Sequence, residues 1–166
     1  LHTRQGQPDH VLRTGGAQRD ADVQLALLTH GFAVDEADVR RRATDDRAEA
    51  PRLRTPGDDA PLGEGLPRLV AASDGDVVAK MDDDDLYGEH YLSDQLDALA
   101  YSDADVVGKQ AHYLYVASLD ATLLRFAQRG HRSTDIVMGP TLVATRRLAA
   151  REPVAGLQDA DLLRPA

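Results

Sequence analysis

The sequence predicts an α/β fold of layered strands and helices, and three observations carry that expectation. Short apolar runs recur along the chain, at Val23–Leu28, Val77–Ala79, Asp105–Gly108, His112–Val116 and Thr141–Ala144. Segments with helical spacing or helix-forming composition lie between most of them, and strands alternating with helices favour sheets covered by helices. The run Val77-Val78-Ala79-Lys80-Met81 leads directly into Asp82-Asp83-Asp84-Asp85. A short apolar run of this kind reads as a buried strand, as found especially in parallel sheets covered on both faces. In open α/β sheets, ligands bind beyond the carboxyl ends of strands, where this acidic cluster falls.

The elements follow in order. Pro8 to Asp20 forms a helix with Val11 and Leu12 as its apolar face, weakened at Gly15-Gly16. Val23 to Leu28 is a strand and Thr29-His30-Gly31 the loop leaving it. Asp35 to Ala48 is polar and reads as an exposed helix. Ala50 to Pro61 carries three prolines and a glycine and reads as a surface connection with one short strand near Leu53. Gly63 to Ser73 is a helix whose interior Pro67 would damage. Tyr91, Leu92, Leu96 and Leu99 fall on one helical face. Leu119 to Gln128 is expected to be helical, and Gln158 to Arg164 to start a last helix.

A chain of 166 residues, 42% hydrophobic and 28% charged, has the size and composition of one globular domain. Its net charge of −9 argues against a general nucleic-acid-binding surface. Without cysteine there is no disulfide framework, zinc–thiolate site or cysteine nucleophile. No apolar run approaches the ~20 residues of a membrane span, which makes a soluble, cytoplasmic protein the default. The chain begins at Leu1 without a methionine, as a fragment would.

The tetrad carries the chemistry. Adjacent carboxylates raise one another's pKa, and a hard divalent cation relieves the repulsion by taking their oxygens as ligands. In an extended segment Asp82 and Asp84 share a face while Asp83 points away. A solvated acidic loop is the ordinary alternative. An EF-hand loop starting at Asp82 fails at Leu86, Tyr87 and Ser93. A phosphatase-type Asp-x-Asp usually has Thr or Val where Leu86 stands.

The run Gly75-Asp76-Val77-Val78-Ala79-Lys80-Met81-Asp82-Asp83-Asp84-Asp85 resembles the signature of family 2 glycosyltransferases, inverting nucleotide-sugar transferases of the GT-A fold. Gly88-Glu89-His90-Tyr91-Leu92, Asp105-Val106-Val107-Gly108-Lys109 and Thr134 to Leu142 are also similar, so the likeness covers about Pro61 to Leu163. It implies a GT-A, Rossmann-like, mixed and mostly parallel sheet flanked by helices. Residues 1–60 would form its nucleotide side, matching only in layout, and residues 61–166 its metal, donor and acceptor part. The family's first strand is not visible, so the resemblance describes an incomplete fold, short also of its C-terminal part.

The resemblance further implies Mn2+ or Mg2+ on Asp84, with Asp82 facing the ion or the donor's ribose. Asp82, Asp83 and Lys80 would contact the nucleotide-sugar donor. Met138, Gly139 and Thr141 would shape the sugar and acceptor pocket. Asp159 would be the base that takes the acceptor's proton, with Asp161 the runner-up, although both residues would also suit a helix N-terminus for its dipole alone. The acceptor would be a glycan, a lipid-linked sugar or a protein. The first strand that is not visible, with the departures at Pro67 and Gln158, leaves a non-catalytic binding module as the alternative, and a phosphotransferase with Asp82 as nucleophile is a third reading.

Overall fold

The computed structural model describes residues 2–3, 8–29, 34–45, 52–54 and 62–151. The elements run β1 (His2–Thr3), α1 (Pro8–Gly16), β2 (Ala26–Thr29), α2 (Glu36–Asp45), β3 (Arg52–Arg54), α3 (Leu62–Ala72) and β4 (Val77–Ala79). They continue with α4 (Tyr91–Ser102), β5 (Val106–Val107), β6 (His112–Val116), β7 (Ala121–Arg125), β8 (Val143–Thr145) and α5 (Arg146–Arg151). Two 3-10 turns lie at Ala117–Leu119 and Gly139–Thr141.

Pro8 opens α1 at the position where a missing N–H costs nothing. Gly16 closes the helix, and Gly15 packs so near Leu25 that a Cβ there would meet the leucine at 3.2 Å. The apolar face of α1, Val11 and Leu12, packs with Leu25, Leu27, Val39 and Ala43 into the first core. Asp35 caps α2, its Oδ1 accepting the Ala37 and Asp38 N–H groups at 2.9 and 3.2 Å. The expected exposed helix therefore buries one short stripe, Val39 and Ala43, four residues apart. β1 pairs in parallel with β2, and β2 with β3. A two-residue strand, β1, thus lies ahead of α1, where the sequence suggested none.

The expected single, mostly parallel sheet is corrected. Among the described residues the strands form three separate sheets, and only β1-β2-β3 is parallel. β4, the strand that carries the tetrad, pairs antiparallel with β8, which pairs antiparallel with β5. β6 and β7 form an antiparallel hairpin. A Rossmann-like GT-A core is therefore not what these strands build. The physical reason lies in burial: β4 is only half-buried along its length, whereas Val143 and Ala144 of β8 are inside. A half-buried strand suits an antiparallel sheet, and the fully covered strand is the one running the other way. Val70 of α3 and Ala149 of α5 join Val137, Leu142 and Ala144 in this second core.

The hairpin corrects the helix expected over Leu119–Gln128. The β7 register sets Leu123 opposite Leu114 and Thr122 opposite Tyr115, and cross-strand pairs of this kind decide such segments over local propensity. α5 was not anticipated, and the helix expected at Gln158–Arg164 lies outside the described residues. α3 runs through Pro67, which removes one helix hydrogen bond, and is held instead by the buried Leu69 and Val70. Among the described residues no helix is long and apolar enough to cross a membrane.

Gln18, just past α1, joins the two halves. Its Nε2 donates to the Gly88 carbonyl at 3.0 Å, and its Oε1 accepts the Leu92 N–H at 3.0 Å. The α4 N-cap residue, His90, makes no side-chain cap, so Gln18 satisfies one of the orphan donors of that helix from 74 residues upstream. Gln18→Ala is expected to cost about 1 kcal/mol in denaturant unfolding, the usual price of a lost N-cap.

Candidate metal centre

β4 ends at Ala79, and the backbone stays tied to the second sheet for one more residue, the Lys80 N–H donating to the Leu142 carbonyl at 2.8 Å. Met81 is buried and anchors the segment. The chain then turns at Asp83-Asp84 instead of extending. This turn, and not strand alternation, brings the carboxylates together. One oxygen each from Asp82, Asp84 and Asp85 lie within 4.8 Å of one another. Asp83 is turned inward, at 2% exposure.

The turn is fixed by one phenol. The Tyr87 hydroxyl accepts the Asp82 N–H at 2.8 Å and donates to the Pro140 carbonyl at 2.9 Å. It thereby ties the first aspartate to the Gly139–Thr141 turn, whose Pro140 lies 53 residues beyond Tyr87. Burial raises the Tyr87 pKa well above its usual value, so the hydroxyl keeps its proton and its donor role. The Tyr87 ring meets Tyr91 edge-on at 4.8 Å, and burial pushes Tyr91 up to about 12. From α1, His10 Nε2 donates to the Asp85 carbonyl at 2.9 Å. A carbonyl only accepts, so Nε2 carries the ring proton here.

The electrostatics are those of crowded acids. The Asp85 carboxyl is raised above its usual range, first by burial and then by Asp84 and Asp82. Lys80 and His112 act in the opposite sense. Lys80 Nζ lies 2.5 Å from Asp82 Oδ1, so the structure places this lysine on the aspartate.

The donor set fits a hard cation. All three candidate ligands are carboxylate oxygens; an ion holding oxygens at about 2.1 Å brings neighbouring ligands to about 3 Å, so the side chains would have to close in on it from a spacing of up to 4.8 Å. Asp82 and Asp84, anticipated from the sequence, come together here. Asp85 was missed, although the unbroken Asp run was its signal. Nothing in the sequence marks Tyr87.

The other anticipated residues sit as follows. Thr141 Oγ1 accepts the Lys109 N–H at 2.8 Å and can donate to the Met138 carbonyl at 2.8 Å, so its hydroxyl serves the backbone. Gly139 opens the 3-10 turn that offers Pro140 to Tyr87, and the Met138 N–H donates to the Lys109 carbonyl at 3.1 Å. The closeness of this loop to β5 depends on Gly108, where a Cβ would lie 2.9 Å from the Val137 Cβ and 3.1 Å from the Thr141 carbonyl oxygen. Lys109 lies over the Tyr91 ring, 5.4 Å from its centroid. Asp159, Asp161 and His30 lie outside the described residues. No protein-family model and no curated protein matches the chain.

Proposed function

We propose that the chain binds Mn2+ or Mg2+ at Asp82, Asp84 and Asp85 and uses it to hold the diphosphate of a nucleotide-sugar donor for transfer to an acceptor hydroxyl. The convergence of three carboxylates beyond β4, in a turn pinned by Tyr87, carries this reading. A bound divalent cation supplies charge stabilisation of the leaving diphosphate. Lys80 is poised to neutralise part of the cluster before the ion arrives and to turn toward a phosphate afterwards. Asp159 is the proposed base for the acceptor's proton, with Asp161 second.

A cation-binding module without catalysis is the second reading. The antiparallel pairing of β4 favours it, because the carboxyl-end crevice of a parallel sheet is where nucleotides ordinarily bind. Thermal unfolding with manganese and a panel of UDP-, GDP- and dTDP-sugars separates the two. Transfer predicts manganese stabilisation that rises further with one donor class, by about 2.7 kcal/mol at ~100 times its dissociation constant. Stabilisation by manganese alone, with no donor adding to it, selects the binding module. Absence of any manganese effect on a cooperatively melting chain overturns both.

A further inference from the structure

The β6–β7 hairpin is rooted in the molecule at its base. There the buried Gln110, just ahead of β6, donates from Nε2 to the Ile136 carbonyl at 2.6 Å. Beyond that point β6 and β7 pack chiefly with each other. Their register puts Tyr113 opposite Leu124 and Tyr115 opposite Thr122 on one face, and Leu114 opposite Leu123 on the other. Neither face is covered: Tyr113 is 74% and Tyr115 60% exposed on the first, and Leu123 49% on the second. A two-stranded hairpin alone is marginally stable in water and ordinarily needs a third strand or a helix against it.

A matching surface lies on α4. Of its helical face Tyr91, Leu92, Leu96 and Leu99, only Tyr91 is buried. The three leucines belong to neither core, and Tyr101 near the end of the helix is 70% exposed. Apolar surface left open in this way marks a place where something docks. Within one copy the two surfaces do not cover each other, as the exposure of both shows.

The two surfaces are opposite in charge. From His112 to Arg132 the chain carries Arg125, Arg129 and Arg132 against one acid, Asp120. From Glu89 to Asp105 it carries five acids and no lysine or arginine. Of these, Asp94, Asp97 and Asp103 are exposed and, like the three arginines, form no ion pair among the described residues. An anionic lipid surface would suit the arginines but repel a chain of net charge −9. A second copy satisfies both surfaces at once.

We propose that the β6–β7 hairpin docks on α4 of a second copy of this chain, whose own hairpin docks on α4 of the first. Leucines and tyrosines then cover one another, and the arginines meet the aspartates. A two-fold axis makes both contacts together and leaves no open end for further copies to join. In each copy β6 and β7 supply 5 residues apiece and α4 supplies 12, within the roughly 20–30 per side of a standard interface. The proposal is independent of the metal centre.

Analytical ultracentrifugation in EDTA tests it. The parent should show a monomer–dimer equilibrium that weakens about tenfold or more between about 0.05 and 0.5 M salt. The double variants Arg125→Glu, Arg129→Glu and Asp94→Lys, Asp97→Lys change exposed positions, and each should weaken its homodimer about tenfold or more. Mixed in equal amounts, the two variants should regain the parent's affinity, because each hairpin then faces the charge on α4 that matches it. Hairpins pairing only with each other would leave the Asp94, Asp97 variant at full affinity, and that result overturns the proposal. So does a mixture no tighter than either variant alone, or a parent monomeric at about 100 μM whether or not it sediments with anionic vesicles. Should a variant lose cooperative melting, Arg125→Gln, Arg129→Gln and Asp94→Asn, Asp97→Asn take its place, and unchanged dimerisation of either overturns the proposal equally.

Discussion

Asp84→Asn will leave the chain folded and remove its response to manganese. Asp84 is exposed, on a turn whose backbone is held by Tyr87 and His10, and belongs to neither buried core. It converts one of three anionic ligands into a neutral amide, and hard divalent ions in small sites depend on such charge. At ~100 times its dissociation constant, manganese should stabilise the parent by about 2.7 kcal/mol and the variant by close to nothing. Without metal, the substitution removes one source of the repulsion that raises the Asp85 carboxyl, so parent and variant are also compared in EDTA. Manganese titrations followed by thermal unfolding read both effects. Equal stabilisation of parent and variant would sink the assignment of Asp84 as a ligand.

Tyr87→Phe should have the second large effect, and on two quantities at once. Removing the hydroxyl leaves the Asp82 N–H and the Pro140 carbonyl without their shared partner in a half-buried place. Each unsatisfied group costs about 1–3 kcal/mol where water cannot replace the bond, so a loss of about that size in denaturant unfolding is expected. The aspartate turn would also lose its tie to the Gly139–Thr141 turn, so manganese affinity should fall although no ligand has been touched. A variant with lowered stability and unchanged manganese affinity would mean that the phenol supports the fold but does not set the carboxylates.

The sequence disclosed element type better than partnership. The spacing of Val11 and Leu12, the run Val77–Ala79 and the face led by Tyr91 located α1, β4 and α4, because those patterns depend on neighbours a few residues apart. Strand direction depends on which segment returns to lie alongside, and no local pattern in Val77–Ala79 names β8 as its partner. For the same reason Ala121–Arg125 read as helix when isolated and became a strand once β6 lay opposite. At the centre, Asp82 and Asp84 were visible from their spacing, while Asp85 required knowing that the chain turns at Asp83-Asp84. Tyr87 and Gln110 act through partners 53 and 26 residues away, a distance over which composition is silent.

The long reach of Gln18 bears on the order in which the molecule assembles. A helix normally gathers its first turn from residues beside it, yet α4 borrows an acceptor from a segment that must first have docked. Loop closure between Gln18 and Leu92 must be completed before that bond can help, so the start of α4 belongs to the slow, topology-limited part of folding. The same coupling runs in reverse: fraying at the end of α1 uncovers the first amides of α4. In native-state hydrogen exchange, Leu92 should open together with the segment around Gln18 and not with the rest of its own helix.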